Sequence, residues 1–214
     1  MYYLTKEDIK KFIKRLEKFK LDQLKKHYLN IVEPKLYELL LLELKSDKVL
    51  EIGRTSDTCS QVCERNGIKY ASITKAEYLQ LENWDGDIIC GYGKQMSPEN
   101  KIPIALKILK DGHFFATIQD CNFLSSAKRY NKIFSKFPPT IVYCFPLKSK
   151  ISKLGDFSKA NNYNYNKNLY WIAWQKNSTQ QDTRFKWLWN PKIQDAWKNK
   201  KISVTVDEKF RRCY

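Results

Sequence analysis

A short run of residues near position 50 has the composition that α/β enzymes use to approach a cofactor. Lys48–Gly53 has the pattern of a buried strand ending in an acid and a glycine, which presents backbone to a nucleotide-like ligand. The chain continues with Arg54 instead of a second glycine, and a side chain there would be strained in a left-handed turn. The alternative interpretation is an ordinary turn after a buried strand. The candidate cofactor-binding residues are Glu51, Gly53 and Asp57.

Basic residues and tryptophans alternate near the end of the chain. In single-strand binding, stacking on an aromatic ring contributes about 1–3 kcal/mol per base, and lysines neutralise phosphates. Tryptophan is also enriched at protein interfaces, so the segment fits a protein–protein contact nearly as well. The candidate nucleic-acid-binding residues in this segment are Arg184, Lys186, Trp187 and Trp189.

Further basic residues are spread over the middle of the chain. The loop after the strand predicted at 141–145 should border a ligand cleft, because ligands of doubly wound sheets sit at the carboxyl ends of the strands. A solvated charged surface is the alternative interpretation. The nucleic-acid-binding candidates of this second set are Lys94, Lys128, Arg129, Lys148, Lys150 and Lys153.

The composition favours a polyanionic partner. The 214 residues carry a formal net charge of +16, which indicates nucleic acid, although a solvated lysine-rich surface would have the same composition. The six cysteines and two histidines lack the spacing of a metal site, so we expect no metal and free thiols in a reducing compartment. Without a membrane-length apolar run or a signal-peptide core, we expect an intracellular protein of cytoplasm, nucleus or viral factory, neither secreted nor membrane-bound.

The apolar periodicity predicts three parts. Residues 1–46 form a basic helical extension, including a helix that starts at Pro34. Residues 47–190 alternate strand and helix patterns, which is typical of a parallel sheet covered on both faces, and 161–168 is expected to be a mobile loop. Residues 191–214 form a basic C-terminal segment. The main elements expected are strands at 48–52, 68–73, 87–90, 113–118, 141–145 and 169–175, and helices at 59–65, 103–109 and 125–134.

The order of several short motifs resembles phage-type DNA adenine-N6 methyltransferases. Cys121–Phe134 resembles the Phe-Leu pair and basic helix after the family's fifth strand, and Pro138–Phe145 resembles the Pro-Pro and strand that follow. Asn168–Lys176 is similar to the late tryptophan-containing strand, and Phe185–Trp189 to a closing segment. The resemblance covers residues 47–190. It implies an α/β, Rossmann-like S-adenosylmethionine (SAM) methyltransferase sheet, mostly parallel with its last strand antiparallel, and SAM as cofactor if the protein is active.

Two departures from the family pattern imply degenerate cofactor and catalytic motifs. Active relatives have small residues in the loop after the first strand and an acid at the end of the second, whereas Ile73 and Thr74 end the second strand here. The Asn-Pro-Pro-Tyr motif after the fourth strand is replaced by 87–94, where an aromatic ring could still stack on a flipped base. The positional equivalents of the catalytic residues are Asp87, Cys90, Gly91 and Tyr92.

Three functions remain open. The one we favour is a catalytically degenerate methyltransferase-like protein, without a required cofactor, that binds DNA or RNA or supports an active partner subunit. The second is an active, divergent SAM-dependent DNA or RNA methyltransferase of the adenine-N6 type. The third is a structural subunit of a larger nucleoprotein assembly. SAM binding distinguishes the second from the others, and the salt dependence of nucleic-acid affinity distinguishes the first from the third.

Overall fold

The structure is a computed structural model that describes residues 31–54, 56–92, 96–152, 157, 164–180 and 182–198. Several predictions lie outside the described residues. These are the helical extension over 1–30, most of the C-terminal segment, and the candidates Lys94 and Lys153.

Strands and helices alternate along most of the chain. The strands are β1 (Ile31–Val32), β2 (Lys48–Ile52), β3 (Lys69–Ile73), β4 (Asp87–Cys90), β5 (Phe114–Asp120), β6 (Ile141–Cys144), β7 (Ser149–Ser152), β8 (Asn164–Lys167), β9 (Leu169–Gln175) and β10 (Arg184–Trp187). The helices are α1 (Pro34–Leu44), α2 (Thr58–Arg65), α3 (Lys75–Gln80), α4 (Pro98–Ile108), α5 (Ala127–Arg129) and α6 (Pro191–Lys198). A 3₁₀ turn (Cys121–Phe123) precedes α5, and a π-helical turn (Tyr130–Phe134) follows it.

Within the described residues, seven strands form the larger sheet, in the order β10–β6–β9–β5–β4–β2–β3. Every neighbouring pair is parallel except the two pairs that include β9. This confirms the mostly parallel sheet with Leu169–Gln175 antiparallel. The sequence did not predict β10, because this exposed edge strand alternates charged and aromatic residues and lacks an apolar run. Asp87–Cys90 is the third strand of the larger sheet in chain order, and α3 lies between it and β3.

A smaller antiparallel sheet of three strands, in the order β1–β7–β8, completes the sheets of the described residues. Ile31 pairs with Ser152, and Ser149 pairs with Lys167. Asn164–Lys167 had been predicted to belong to a mobile loop, and this was wrong for these four residues. The polar Asn-Tyr composition hid the strand, because its ladder with β7 depends on a partner distant in sequence.

Apolar side chains cover both faces of the larger sheet, as expected for strands whose successive side chains point to opposite sides. On β9, Trp171 packs with the residues of α1 and α2, whereas Trp174 packs with those of α3 and α4. Both rings are buried and belong to the core. Side chains of α1 and α6 belong to the same core, and the predicted division at residues 46 and 190 stays a prediction.

The start of α4 differs from the prediction. The sequence placed it at Pro103, but the helix begins at Pro98 after Ser97, and Pro103 lies inside it. Proline is favoured in the first turn of a helix, where its missing N–H is not needed. Two prolines five residues apart both suit a helix start, and only the packed structure distinguishes them.

Candidate functional site at the carboxyl edge

The parallel strands of the larger sheet finish at one edge, which we call the carboxyl edge. The last residues of β2, β3, β4 and β5 form it, and the loops after them lie directly beyond. Ligands of open α/β sheets bind outside this edge. The structure therefore brings together five of the predicted site residues, namely Glu51, Gly53, Cys90, Gly91 and Tyr92.

Glu51 is the buried acid of the carboxyl edge. The residue is 4% exposed, and the Tyr70 hydroxyl on β3 donates a 2.7 Å hydrogen bond to Glu51 Oε2. Burial raises the pKa of Glu51 from 4.5 to about 7, while the bond from Tyr70 and the charge of Arg54 act in the opposite direction. Glu51 therefore exchanges its proton near neutral pH.

Gly53 and Asp57 shape the loop between β2 and α2. Gly53 has a φ of 63°, which favours glycine, and its N–H donates to the Ile73 carbonyl oxygen at 2.9 Å. Asp57 Oδ2 accepts a 2.8 Å hydrogen bond from Gln61. Asp57 Oδ1 is buried and has no hydrogen-bond partner in the part of the chain that the structure describes. The loop thus has the turn glycine, but the N–H of that glycine already bonds within the sheet.

Tyr37 on α1 closes the space between the ends of β2 and β4. A Cβ atom at Gly91 would lie 2.7 Å from the Tyr37 hydroxyl oxygen and 3.8 Å from Glu51 Oε1. The Tyr37 ring is buried and packs edge-on against Trp171, with ring centroids 5.3 Å apart. Burial and the nearby Glu51 carboxylate raise the pKa of Tyr37 well above its ordinary value, so the hydroxyl stays protonated. Gly91 is therefore needed for the close approach of a side chain from α1, a role the sequence did not indicate.

Cys90 ends β4 beside a buried amine. Lys101 on α4 is 1% exposed, and its Nζ lies 3.5 Å from Cys90 Sγ and 3.2 Å from Thr117 Oγ1. Cys90 itself is 2% exposed. The thiol therefore faces the core under α4, and this arrangement does not present it to a substrate amine.

Asp87 lies at the opposite edge of the sheet. As the first residue of β4, it accepts hydrogen bonds from the Ser46 hydroxyl and, at 2.8 Å, from the Phe114 N–H. Burial raises the pKa of Asp87, although His113 Nδ1 lies 3.6 Å from the carboxylate and opposes the shift. Three residues of a strand span about 10 Å, so the structure separates Asp87 from the other predicted catalytic positions.

Tyr92 forms a polar cluster with Asp120 and Lys167. Its hydroxyl accepts a 2.8 Å hydrogen bond from Lys167 Nζ and donates to Asp120 Oδ2 at 3.3 Å, and Lys167 Nζ lies 3.5 Å from Asp120 Oδ2. Burial raises the pKa of Tyr92, which keeps the hydroxyl protonated. Because Lys167 Nζ also lies 5.4 Å from the ring centre, a base stacking on that face would displace it. The sequence missed Asp120 and Lys167, which no local pattern links to Tyr92.

The predicted basic residues of the middle of the chain do not share one environment. Arg129 donates from Nη1 to two backbone carbonyl oxygens of the turn after β5, at 3.1 and 3.3 Å. That guanidinium thus holds the turn together. Lys128 is exposed on α5, and Lys148 and Lys150 are exposed where the chain enters β7. The nucleic-acid role of these lysines stays a prediction.

β10 and the two residues after it form an exposed strip, which we call the aromatic strip (residues 184–189). Phe185, Trp187 and Trp189 are 69%, 68% and 50% exposed, and the neighbouring Arg184 and Lys186 are exposed as well. β10 runs parallel to β6, so the strip ends at the carboxyl edge, on the side of the sheet away from β3. The structure therefore exposes all four predicted binding residues of this segment along one edge strand and the residues after it.

The described residues contain no cluster of metal ligands and no helix able to span a membrane. Across the described ranges, no three His, Cys, Asp or Glu side chains are grouped as metal ligands. Those ranges also hold no helix whose length and apolar character would let it cross a membrane. The five cysteines that lie within them are free thiols.

No family model matches the chain, and no curated protein matches it. Among solved structures it is similar to a SAM-dependent O-methyltransferase from Thermotoga maritima, with 15% identity over 71% of this chain and 68% of the other, at a TM-score of 0.47. An O-methyltransferase from Bacillus cereus in complex with SAH is 13% identical over 75% of this chain and 89% of the other, at a TM-score of 0.42. A phosphoethanolamine N-methyltransferase from Haemonchus contortus is 14% identical over 67% of this chain and 37% of the other, at a TM-score of 0.37.

Likeness at these identities and TM-scores determines neither activity nor ligand. The strand order and the single antiparallel strand β9 among the described strands of the larger sheet decide the architecture. The chain has a Rossmann-like α/β fold. Its helices flank both faces of the sheet, as the sequence predicted.

The residues at the carboxyl edge do not fit SAM as they stand. The Tyr37 hydroxyl occupies the space beside Gly91 and Glu51 where a cofactor would cross the strand ends. The one acid near the end of β3, Glu77, accepts a 2.6 Å hydrogen bond from the Thr74 N–H and caps α3 instead of facing a ribose.

Proposed function

We propose that this chain is a non-catalytic protein of the methyltransferase fold that binds single-stranded nucleic acid through the aromatic strip. The observation that carries the proposal is the exposure of Phe185, Trp187 and Trp189 beside Arg184 and Lys186 on one edge strand. Aromatic faces on which bases stack, interleaved with cations that neutralise phosphates, are what single-strand binding requires. The net charge of +16 supports the same partner. A partner subunit that supplies an activity is compatible with this role.

The closed carboxyl edge supports the non-catalytic part of the proposal. Tyr37 is held by its packing on Trp171 and approaches Gly91 closely, so admitting a cofactor would require α1 to move. The buried Cys90 and the remote Asp87 leave Tyr92 as the one predicted catalytic side chain near open solvent. Its hydroxyl is engaged by Asp120 and Lys167.

The test is fluorescence anisotropy of the full chain with a labelled single-stranded decamer, measured over a range of salt concentrations. We expect affinity to fall with salt, with a slope of about −0.7 for each neutralised phosphate. Trp187→Ala should weaken binding about 5- to 150-fold, because stacking contributes about 1–3 kcal/mol per base. Tyr130, 60% exposed on the π-helical turn, provides the matched control, and Tyr130→Ala should leave affinity unchanged. Equal weakening by both variants, or no binding, would refute the proposal.

A second candidate function is SAM-dependent methyl transfer to DNA or RNA. The buried, unpartnered Asp57 Oδ1 beside the β2–α2 loop favours it, because such an oxygen is available to a donor on a ligand. Calorimetric titration with SAM, with and without the decamer, separates the two candidates. Saturable micromolar binding supports methyl transfer, whereas the absence of binding at about 1 mM SAM supports the non-catalytic function.

A further inference from the structure

A groove lies beside the aromatic strip, between α1, the end of β10 and the start of α6. It has a volume of about 260 Å³ and is lined by Leu39, Leu42, Glu43, Lys186, Trp187 and Trp189, among others. This volume lies below the range of about 300–1,000 Å³ typical of pockets for drug-sized ligands, which limits the guest to a smaller group.

Large apolar side chains border the groove and are open to solvent. Leu42 is 47% exposed, Trp187 is 68% exposed and Trp189 is 50% exposed. Large apolar side chains exposed around a concavity mark a binding site more often than isolated exposed residues do. Two indole rings and a leucine side chain suit a flat, aromatic guest.

One ion pair lies among the side chains that line the groove. Lys186 Nζ is 2.5 Å from Glu43 Oε1, with the Glu43 side chain 28% exposed and the Lys186 side chain 51% exposed. A carboxylate is an acceptor with no donor of its own. It can therefore accept from the exocyclic amino group of adenine, cytosine or guanine, whereas uracil and thymine present a carbonyl oxygen at the corresponding position. Lys186, once exchanged out of the pair, can bind a phosphate.

We propose that this groove holds one unstacked base that carries an exocyclic amino group, and that Glu43 selects such bases over uracil. The inference rests on the proposed nucleic-acid binding and specifies its site. A nucleic acid suits the groove better than a protein partner, because the cores of protein interfaces are depleted in charged residues. The exposed Arg184 and Lys192, on the elements that border the groove, complement a phosphate backbone.

The experiment compares two labelled RNA decamers, one of cytidine and one of uridine, which share a backbone. Cytosine has an amino group at position 4 and an unprotonated N3, whereas uracil has a carbonyl oxygen at position 4 and an N–H at position 3. We expect the wild-type chain to bind the cytidine decamer about 5- to 150-fold more tightly, as for one good side-chain–base pairing. Glu43→Gln should reduce this ratio to about 1–3-fold, because an amide both donates and accepts. Glu64, an exposed acid on α2, provides a control that changes net charge equally, and Glu64→Gln should keep the wild-type ratio.

A second pair of variants separates the groove from the strip as a whole. Trp189 lines the groove, whereas the equally aromatic Phe185 does not. Trp189→Ala should lower the cytidine preference and Phe185→Ala should retain it, while circular dichroism checks that both variants fold.

Four results would overturn the inference. Equal affinity for both decamers in the wild type, or an unchanged ratio in Glu43→Gln, would refute the groove while leaving nucleic-acid binding by the strip intact. Failure of the chain to bind either decamer would refute the proposed function and this inference together. Self-association in sedimentation velocity that Trp189→Ala abolishes would instead assign the groove to a contact between copies of the chain.

Discussion

Substitution of Glu51 by glutamine tests the physical description of the carboxyl edge most directly. Glu51 is 4% exposed and accepts one hydrogen bond, from Tyr70 at 2.7 Å. Glutamine keeps the size of the side chain and can still accept that bond through its Oε1, but it carries no titratable proton. The variant therefore removes the buried charge and little else.

The expected change in the free energy of unfolding follows from the pKa of Glu51, which burial raises from 4.5 to about 7. Each pKa unit corresponds to about 1.36 kcal/mol, so ionising the buried carboxyl costs about 3 kcal/mol relative to the unfolded chain. The folded state binds the proton more tightly than the unfolded state, so stability falls as the pH rises. The loss begins near pH 4.5, where the unfolded carboxyl ionises, and is complete above about pH 7.

The assay is urea unfolding followed by circular dichroism at about pH 5 and at about pH 8. We expect the free energy of unfolding of the wild type, relative to Glu51→Gln, to fall by about 2–3 kcal/mol between these values. Every other titratable group is common to both proteins, so its contribution cancels in the difference.

Tyr70→Phe provides a companion variant. Because the hydrogen bond from Tyr70 lowers the pKa of Glu51, its removal should raise that pKa and increase the loss of stability at about pH 8. If the wild type and Glu51→Gln have parallel pH dependences, Glu51 is not buried in an apolar environment. In that case the carboxyl edge is open to solvent at Glu51.

Three further predictions concern residues at or beside the carboxyl edge. Gly91→Ala should destabilise the chain by about 1–3 kcal/mol in urea unfolding, since its Cβ would lie 2.7 Å from the Tyr37 hydroxyl oxygen. In a Tyr37→Phe background the cost of the same substitution should be clearly smaller, and equal costs would contradict the close approach. Gly53→Ala should cost about 1–2 kcal/mol in thermal unfolding because of the positive φ, and no loss would mean that the turn has another conformation. Lys101→Met should increase the free energy of unfolding by about 1–3 kcal/mol, because the buried amine contacts a thiol and a hydroxyl but no carboxylate among the described residues. A decrease would mean that the contacts of the amine stabilise the fold.

Much of the fold was predictable because it depends on local patterns. The apolar runs at 48–52 and 169–175 predicted strands that form the centre of the sheet, and Pro34 predicted the start of α1. The glycine at position 53 predicted a turn, and its φ of 63° confirms it. Elements without an apolar pattern were missed, as β8 and β10 illustrate, because a polar or edge strand is stabilised by its neighbours and not by its own composition.

The candidate site was predictable only in part. The sequence determined that an acid, a glycine turn and Tyr92 follow parallel strands, and therefore that they meet at one edge. It did not determine what else reaches that edge. Tyr37 comes from α1, Lys167 from β8, and Glu43 contacts Lys186 across 143 residues of chain.

The tertiary structure alone decided whether the edge is open or closed. The spacing of residues along a strand or helix determines which face a side chain occupies, and this can be read from the sequence. Which distant side chain fills the space beyond that face depends on how helices from different parts of the chain pack together. For this protein, that packing placed the Tyr37 hydroxyl beside Gly91 and left the tryptophans of the aromatic strip exposed.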